Sequence, residues 1–301
     1  MMSKRQLIVV ADDFGIGHEV SRGILELMLK GSVTSTVLIV NSPYAAQDMR
    51  QWFSAGCPGE MGWHPNLTMD HPIAPARKVP GLLTKDQSLV TLGSLVFRLL
   101  NGTLQFNELV SELDAQYQRF HDLAGFPPPM INGHKHIHVF PPIHRALMEV
   151  LKRWKVRPYI RCVREPLTTL RAIPGARIKR AFLTLLGSRS STKQLYQGFP
   201  GNHTLAGITD PQWVSDKQFF SRWLQAIPGS IVELAVHPGY RDESLIGRDC
   251  TLKDGQLERR VAEMKHLLLP EFIESCHQAG FELVAANPVR PSRRLVHFHA
   301  A

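Results

Sequence analysis

The stretch "QLIVVADDFGIGHEVSRGILELMLKG", residues 6–31, decides the fold class. It opens on a short apolar run, Leu7 to Ala11, which has the length of a buried strand. Two carboxylates, Asp12 and Asp13, follow at once. Val20, Ile24, Leu25 and Met28 then fall at helical spacing, and Gly31 supplies a stop. A strand, a polar turn and an amphipathic helix make one βα unit.

The same order recurs downstream. "STVLIVN" (35–41) predicts a second buried strand, and "SPYAAQDMRQWF" (42–53) a helix opened by Ser-Pro. "EMGWHPNLT" (60–68) contains a third, short strand, and "FNELVSELDAQYQRFHDLAG" (106–125) an amphipathic helix. "PMINGHKHIHVF" (129–140) predicts a strand, "PIHRALMEVLKRW" (142–154) a helix and "RPYIRCV" (157–163) a strand. Helices over 216–227 and 253–268 flank a strand in "SIVELAVHPG" (230–239), and "FELVAA" (281–286) predicts the last strand. Alternation of this kind implies an α/β fold with a mostly parallel sheet and helical crossovers. Residues 1–301 are expected to form a single domain, with insertions near 69–104 and 164–212, where the alternation lapses. Barrels of this class reach such a length as one domain.

Composition narrows the class. An apolar fraction of 44% and a mean hydropathy of −0.12 describe a soluble globular chain with a large core. The apolar run at the N-terminus is too short for a signal sequence or a membrane span. Cys57, Cys162, Cys250 and Cys276 are far apart, which argues against a disulfide framework or zinc finger and for a reducing cytoplasm. The net charge is +9, so nucleic acid, a membrane surface or an anionic substrate are partners to consider. Much of the excess lies between Arg164 and Lys193, where Glu165 is the single acid. That segment is either a solvated basic loop and helix or a binding surface.

In a parallel α/β architecture, chemistry gathers at the C-terminal ends of the strands. The first predicted strand ends in Asp12-Asp13, the third in His64, the fourth carries Asn132 and His134, and a later one ends in His237. One rim thus collects two carboxylates and at least three imidazoles. A carboxylate and two imidazoles hold a divalent metal with positions left open. A second carboxylate can then serve as general base, and a further histidine as acid. His134, His136 and His138 repeat at the period of a strand, which predicts three rings on one face. At about 6.6–6.8 Å per two residues they cannot all reach one ion. The spacing alone leaves open which of the three rings is a ligand.

"VVADDFGIG" (9–17), "TST" (34–36), "GWHPNLT" (62–68), "NGHKHIHVFP" (132–141) and "VHPGY" (236–240) together resemble the YdjC-like carbohydrate deacetylases, which include the chitooligosaccharide deacetylases. The "NGHKH" variant and the basic middle segment look most like the subgroup associated with hopanoid biosynthesis. The resemblance implies a distorted, TIM-barrel-like (β/α) barrel, as in polysaccharide deacetylases. It implies one divalent metal, Zn²⁺ or Mg²⁺, held by Asp13, His64 and His134, with Asp12 as base and His237 as acid. Asn132 stands where many members have Asp, which removes a charge beside the site. Related proteins also imply a homodimer.

The implied reaction removes an N-acetyl group from an amino sugar of an oligosaccharide or glycolipid and releases acetate. Asn132, His136, His71 and Arg241 are the candidate substrate contacts, while Phe14 and Trp63 are expected in the core. A phosphoesterase using the same Asp/His set is one alternative. A non-catalytic protein binding an anionic ligand is another, although no nucleic-acid motif is present. Basic residues 164–193, with "RIKRAFLTLLG" (177–187), are the candidate contact with a membrane surface.

Overall fold

The computed structural model describes residues 5–286. Eight strands are present among them: β1 (Arg5–Phe14), β2 (Ser35–Leu38), β3 (Glu60–Trp63), β4 (Met130–Ile131), β5 (Tyr159–Ile160), β6 (Thr204–Ala206), β7 (Ile231–Val236) and β8 (Phe281–Leu283). They run in the order β5-β4-β3-β2-β1-β7-β6, and every ladder is parallel. The edges meet. Ile160 donates its N–H to Pro200 O at 2.9 Å, Leu205 donates to Arg164 O at 2.8 Å, and the Asn202 side chain bridges to the Cys162 backbone. The sheet therefore closes on itself, irregularly, as a distorted (β/α) barrel. β8 pairs with residues 5–7 of β1, below the part of β1 that pairs with β2.

The helices are α1 (His18–Lys30), α2 (Ala45–Ser54), α3 (Leu92–Leu100), α4 (Phe106–Ala124), α5 (Pro141–Arg153), α6 (Leu167–Ala172), α7 (Arg177–Tyr196), α8 (Pro211–Val214), α9 (Phe219–Ala226), α10 (Gln256–Leu268) and α11 (Pro270–Gln278). α1 stops at Gly31, whose φ of 80° and backbone N–H to Leu27 and Met28 carbonyls make the left-handed cap expected from the sequence. α4 opens on a capping box between Gln105 and Glu108.

Alternation along β1 sorts its side chains into two layers. Leu7, Val9 and Ala11 join the large apolar layer under the helices. Ile8 and Val10 meet Val37, Met130 and Tyr159 from three other strands in a separate cluster, which fills the barrel. Phe14 and Trp63 are fully buried, as expected.

Two expectations fail locally. The predicted strand over 129–140 ends after Ile131, and His134–Val139 forms a 3₁₀ segment with Lys135 (φ 52°) and His136 (φ 57°) in the left-handed region. The three histidines therefore do not share a strand face. Residues 164–212 supply β6 to the barrel as well as α6 and α7.

Candidate active site

The inward parity of Ile8 and Val10 continues to Asp12. It brings Asp12 into a polar layer above the apolar plug, together with Asn132, Arg161 and Glu233. Arg161 grips Asp12 at two points, NH1 to Oδ2 at 2.6 Å and NH2 to Oδ1 at 2.8 Å. Its Nε donates to Glu233, which also accepts the Tyr159 hydroxyl at 2.7 Å. Asn132 Nδ2 donates to Asp12 Oδ1 at 3.2 Å. Burial opposes ionisation of Asp12, but the Arg161 guanidinium outweighs it and holds the carboxyl below its usual range. Asn132 thus still orients its neighbour, as a donor rather than a charge.

Asp13 lies within the break in register between Ala11 and Phe14 and has φ 72°. A left-handed aspartate at the end of a buried strand is a strained placement of the kind found at functional sites. It turns the carboxylate into the mouth of the barrel. Asp13 Oδ1 lies 2.9 Å from His134 Nδ1 and 3.3 Å from His64 Nε2. Arg260 NH2 donates to Asp13 Oδ2 at 2.7 Å. Burial opposes the charge on Asp13, yet Arg260 and then His134 keep it well below the ordinary range. Burial also opposes a charge on His134, but the carboxylates of Asp13 and Asp249 raise that ring to about 9.

This donor set fits a cation. One atom each from Asp13, His64 and His134 lie within 4.8 Å of one another, and all three residues are buried. His64 Nδ1 donates to Asn132 O at 2.7 Å, so the neutral ring turns an unprotonated Nε2 toward Asp13. One carboxylate and two imidazoles accept a divalent metal.

His237 stands at the end of β7, with Nε2 3.7 Å from Asp12 Oδ2. Arg259 NH2 lies 3.1 Å from His237 Nδ1, and since arginine only donates, the neutral ring carries its proton on Nε2. Burial, and then Arg259, lower the ring to about 4. Glu263 pairs with Arg259 and accepts the His237 N–H.

Other expected residues scatter. His136 is buried with Nδ1 lacking a partner, and burial with Arg161 holds it well below its ordinary value. His138 is structural: Nδ1 accepts the Gly133 N–H at 2.9 Å and Nε2 donates to Arg161 O at 3.2 Å. His71 is exposed, with Nδ1 on Gln87 O. Arg241 is about half exposed and pairs with Glu258 at 3.0 Å and Glu243 at 3.6 Å, so it faces acids rather than the cluster. Arg161, Glu233, Asp249, Arg259 and Arg260 were absent from the expected site. The one available signal was a lone charge inside each of two apolar strands, "RPYIRCV" and "SIVELAV".

The chain is similar to known proteins in sequence and shape. It is 35% identical over 154 residues to a mouse carbohydrate deacetylase, covering 50% of this chain and 49% of that one. It is 39% identical over 142 residues to the chitooligosaccharide deacetylase of Escherichia fergusonii, covering 46% and 53%. The matches span about half the length of these curated relatives. A crystal structure from Enterococcus faecalis V583, of a candidate cellobiose-phosphate cleavage protein, superposes with a TM-score of 0.75 at 21% identity, covering 94% of this chain and 98% of that one. That likeness speaks to the fold. Residues 6–278 match the family model described as YdjC-like protein, and the chain belongs to that family.

Proposed function

We propose that this protein hydrolyses the N-acetyl group of an N-acetylated amino sugar, in an oligosaccharide or a glycolipid, and releases acetate. The observation that carries the proposal is the convergence of Asp13, His64 and His134 within 4.8 Å, with Asp12 and His237 facing each other at 3.7 Å beside them. The names of the mouse and Escherichia fergusonii relatives support a carbohydrate substrate.

Asp13, His64 and His134 would hold one divalent cation. Two imidazoles in the set favour Zn²⁺ over Mg²⁺. Such a cation would supply Lewis acidity at the acetamide carbonyl and lower the pKa of water. Asp12, kept ionised and oriented by Arg161, accepts a proton from the attacking water. His237 presents Nε2–H to the departing nitrogen. As that hydrogen leaves, the proton on Asp12 crosses to Nε2, so the ring ends neutral and is not left as an imidazolate. One water is consumed, the C–N bond breaks, and acetate and the free amine leave.

Phosphoester hydrolysis at two metals needs further carboxylates to hold the second ion. The additional carboxylate at hand, Asp249, is already engaged by His134, Lys135 and Arg260. A glycolipid of the hopanoid type falls within the proposal, and exposed Ile178, Phe182 and Leu185 on α7 support work at the inner membrane surface. The wide separation of Cys57, Cys162, Cys250 and Cys276 along the chain supports a reducing cytoplasm. Acetate release from N-acetylated sugars and glycolipids, with and without chelator, tests the proposal. Chelator-sensitive release is expected. Release from phosphoesters alone would overturn it.

A further inference from the structure

The loop between β7 and α10 crosses the mouth of the barrel and lays a carboxylate against His134. It is anchored at two points. Arg248 donates to both oxygens of Asp70, at 2.9 and 2.7 Å, and to Ile16 O at 2.9 Å, which ties the loop to the segments after β3 and β1. Asp242 accepts the Glu19 N–H at 3.0 Å at the start of α1. A Cβ at Gly17 would collide with that Asp242 carboxylate, so the glycine of "GIG" makes room for the anchor.

Directly after the Arg248 anchor, the Asp249 side chain is only 10% exposed. Its Oδ1 lies 3.1 Å from His134 Nε2 and 3.2 Å from Lys135 Nζ. Its Oδ2 lies 3.3 Å from Arg260 NH2, the same nitrogen that is 2.7 Å from Asp13 Oδ2. Arg260 thus fixes the two carboxylates that flank the His134 ring.

We propose that Asp249 is a positioning residue that accepts the Nε2–H of His134 and so leaves Nδ1 as the lone-pair donor beside Asp13 and His64. The inference rests on the metal-holding role given above to those three residues. An imidazole has one proton in its neutral form, and whichever nitrogen is engaged by an acceptor keeps it. A carboxylate behind the ring sets the tautomer, fixes the ring plane and raises the basicity of the opposite nitrogen. Without Asp249, His134 can take either tautomer, and Arg260 loses one of its two acceptors.

The test is Co²⁺ binding to the full chain by calorimetry, for wild type, D249A and D249N, together with ¹⁵N NMR of the His134 ring in the Zn²⁺-loaded wild type. D249A is expected to weaken Co²⁺ by about 10- to 100-fold. D249N keeps the shape and an acceptor oxygen but loses the charge, and is expected to weaken Co²⁺ by at least about threefold. It decides the matter if D249A does not fold. The NMR should show the proton on Nε2. Wild-type affinity in D249N, or a proton on Nδ1, overturns the role of Asp249 while leaving the metal site intact. Failure of the wild type to bind Co²⁺ overturns the metal site and this role together.

Discussion

Arg161 and Asp12 form a buried two-point ion pair that joins the polar layer inside the barrel to the end of β1. Arg161 itself is fully buried and also neutralises Glu233. One cation therefore serves two carboxylates that would otherwise be unpaired in a dry interior. Arg161→Met is expected to destabilise the fold by about 3–5 kcal/mol, the usual effect of leaving a buried charge alone. Arg161→Lys keeps a charge but cannot present a planar fork. It should fold, with a smaller loss of stability and a fall in kcat larger than any change in KM. Urea denaturation and steady-state kinetics on the two variants measure both effects.

Asp12 and Asp13 are adjacent in sequence, but the left-handed turn at Asp13 sends the two carboxylates to different partners, Arg161 and Arg260. Asp12→Asn should bind metal as the wild type does and lose about 10²- to 10⁴-fold in turnover, the range ascribed to general base catalysis. His134→Ala should lose both. Metal at 100 times its Kd should stabilise the wild type and the Asp12 variant by about 2.7 kcal/mol, and the His134 variant not at all. Denaturant melts with metal and with chelator separate the two roles, and near-normal turnover in Asp12→Asn would remove the base assignment.

The βα alternation was legible because several strands carry a polar residue directly after an apolar run, as Asp12 follows Leu7–Ala11 and His237 follows Leu234–Val236. The closure of the barrel was legible only through the family resemblance and not from the alternation, because β6 is three residues long and the β5–β6 seam is held by Asn202 and scattered backbone bonds rather than by a ladder. At the site, Asp12, Asp13, His64, His134 and His237 stood out as side chains uncommon at strand ends. Arg260 did not, since "QLERRVAEMK" reads as an ordinary charged helix, and only the fold shows which of its arginines turns inward to Asp13. The period of His134, His136 and His138 was misleading for a physical reason. Side-chain spacing of two does not force strand geometry when Lys135 and His136 take left-handed backbone angles.

His138 and His144 are buried rings held neutral. Burial, and then nearby cations, lower His138 to about 3 and His144 to about 4. The unfolded chain takes up these protons near pH 6.5 and the folded chain does not. Stability from each ring is therefore fully present above pH 6.5 and is lost as pH falls toward the folded value. Each should remove about 2 kcal/mol by pH 5. His138→Gln carries one titrating ring fewer, and its stability should fall less steeply, by about 1.4 kcal/mol per pH unit in this window. Urea midpoints between pH 7 and 5 give the slopes, and equal slopes would show that His138 titrates normally in the fold.

α7 presents a mixed surface that the barrel does not need. Ile178, Phe182 and Leu185 follow one another at i, i+4 and i+7, so they line one face, and they are 89%, 50% and 61% exposed. Arg177 and Arg189 are exposed on the same helix. No helix among the described residues is long and apolar enough to cross a membrane. An apolar stripe with basic neighbours instead suits adsorption to an anionic bilayer, where apolar burial and charge attraction add. Each basic residue near the surface contributes about 1 kcal/mol, and that part weakens as salt shortens the screening length. The chain should float with vesicles containing anionic lipid at low salt, and float less as salt rises. Phe182→Ser with Ile178→Ser should abolish flotation while leaving hydrolysis of a soluble N-acetylated sugar unchanged, because neither residue contacts the Asp13 cluster. Flotation of the double variant at the wild-type level would assign the membrane contact elsewhere, and no flotation of the wild type would leave α7 as a solvated basic helix.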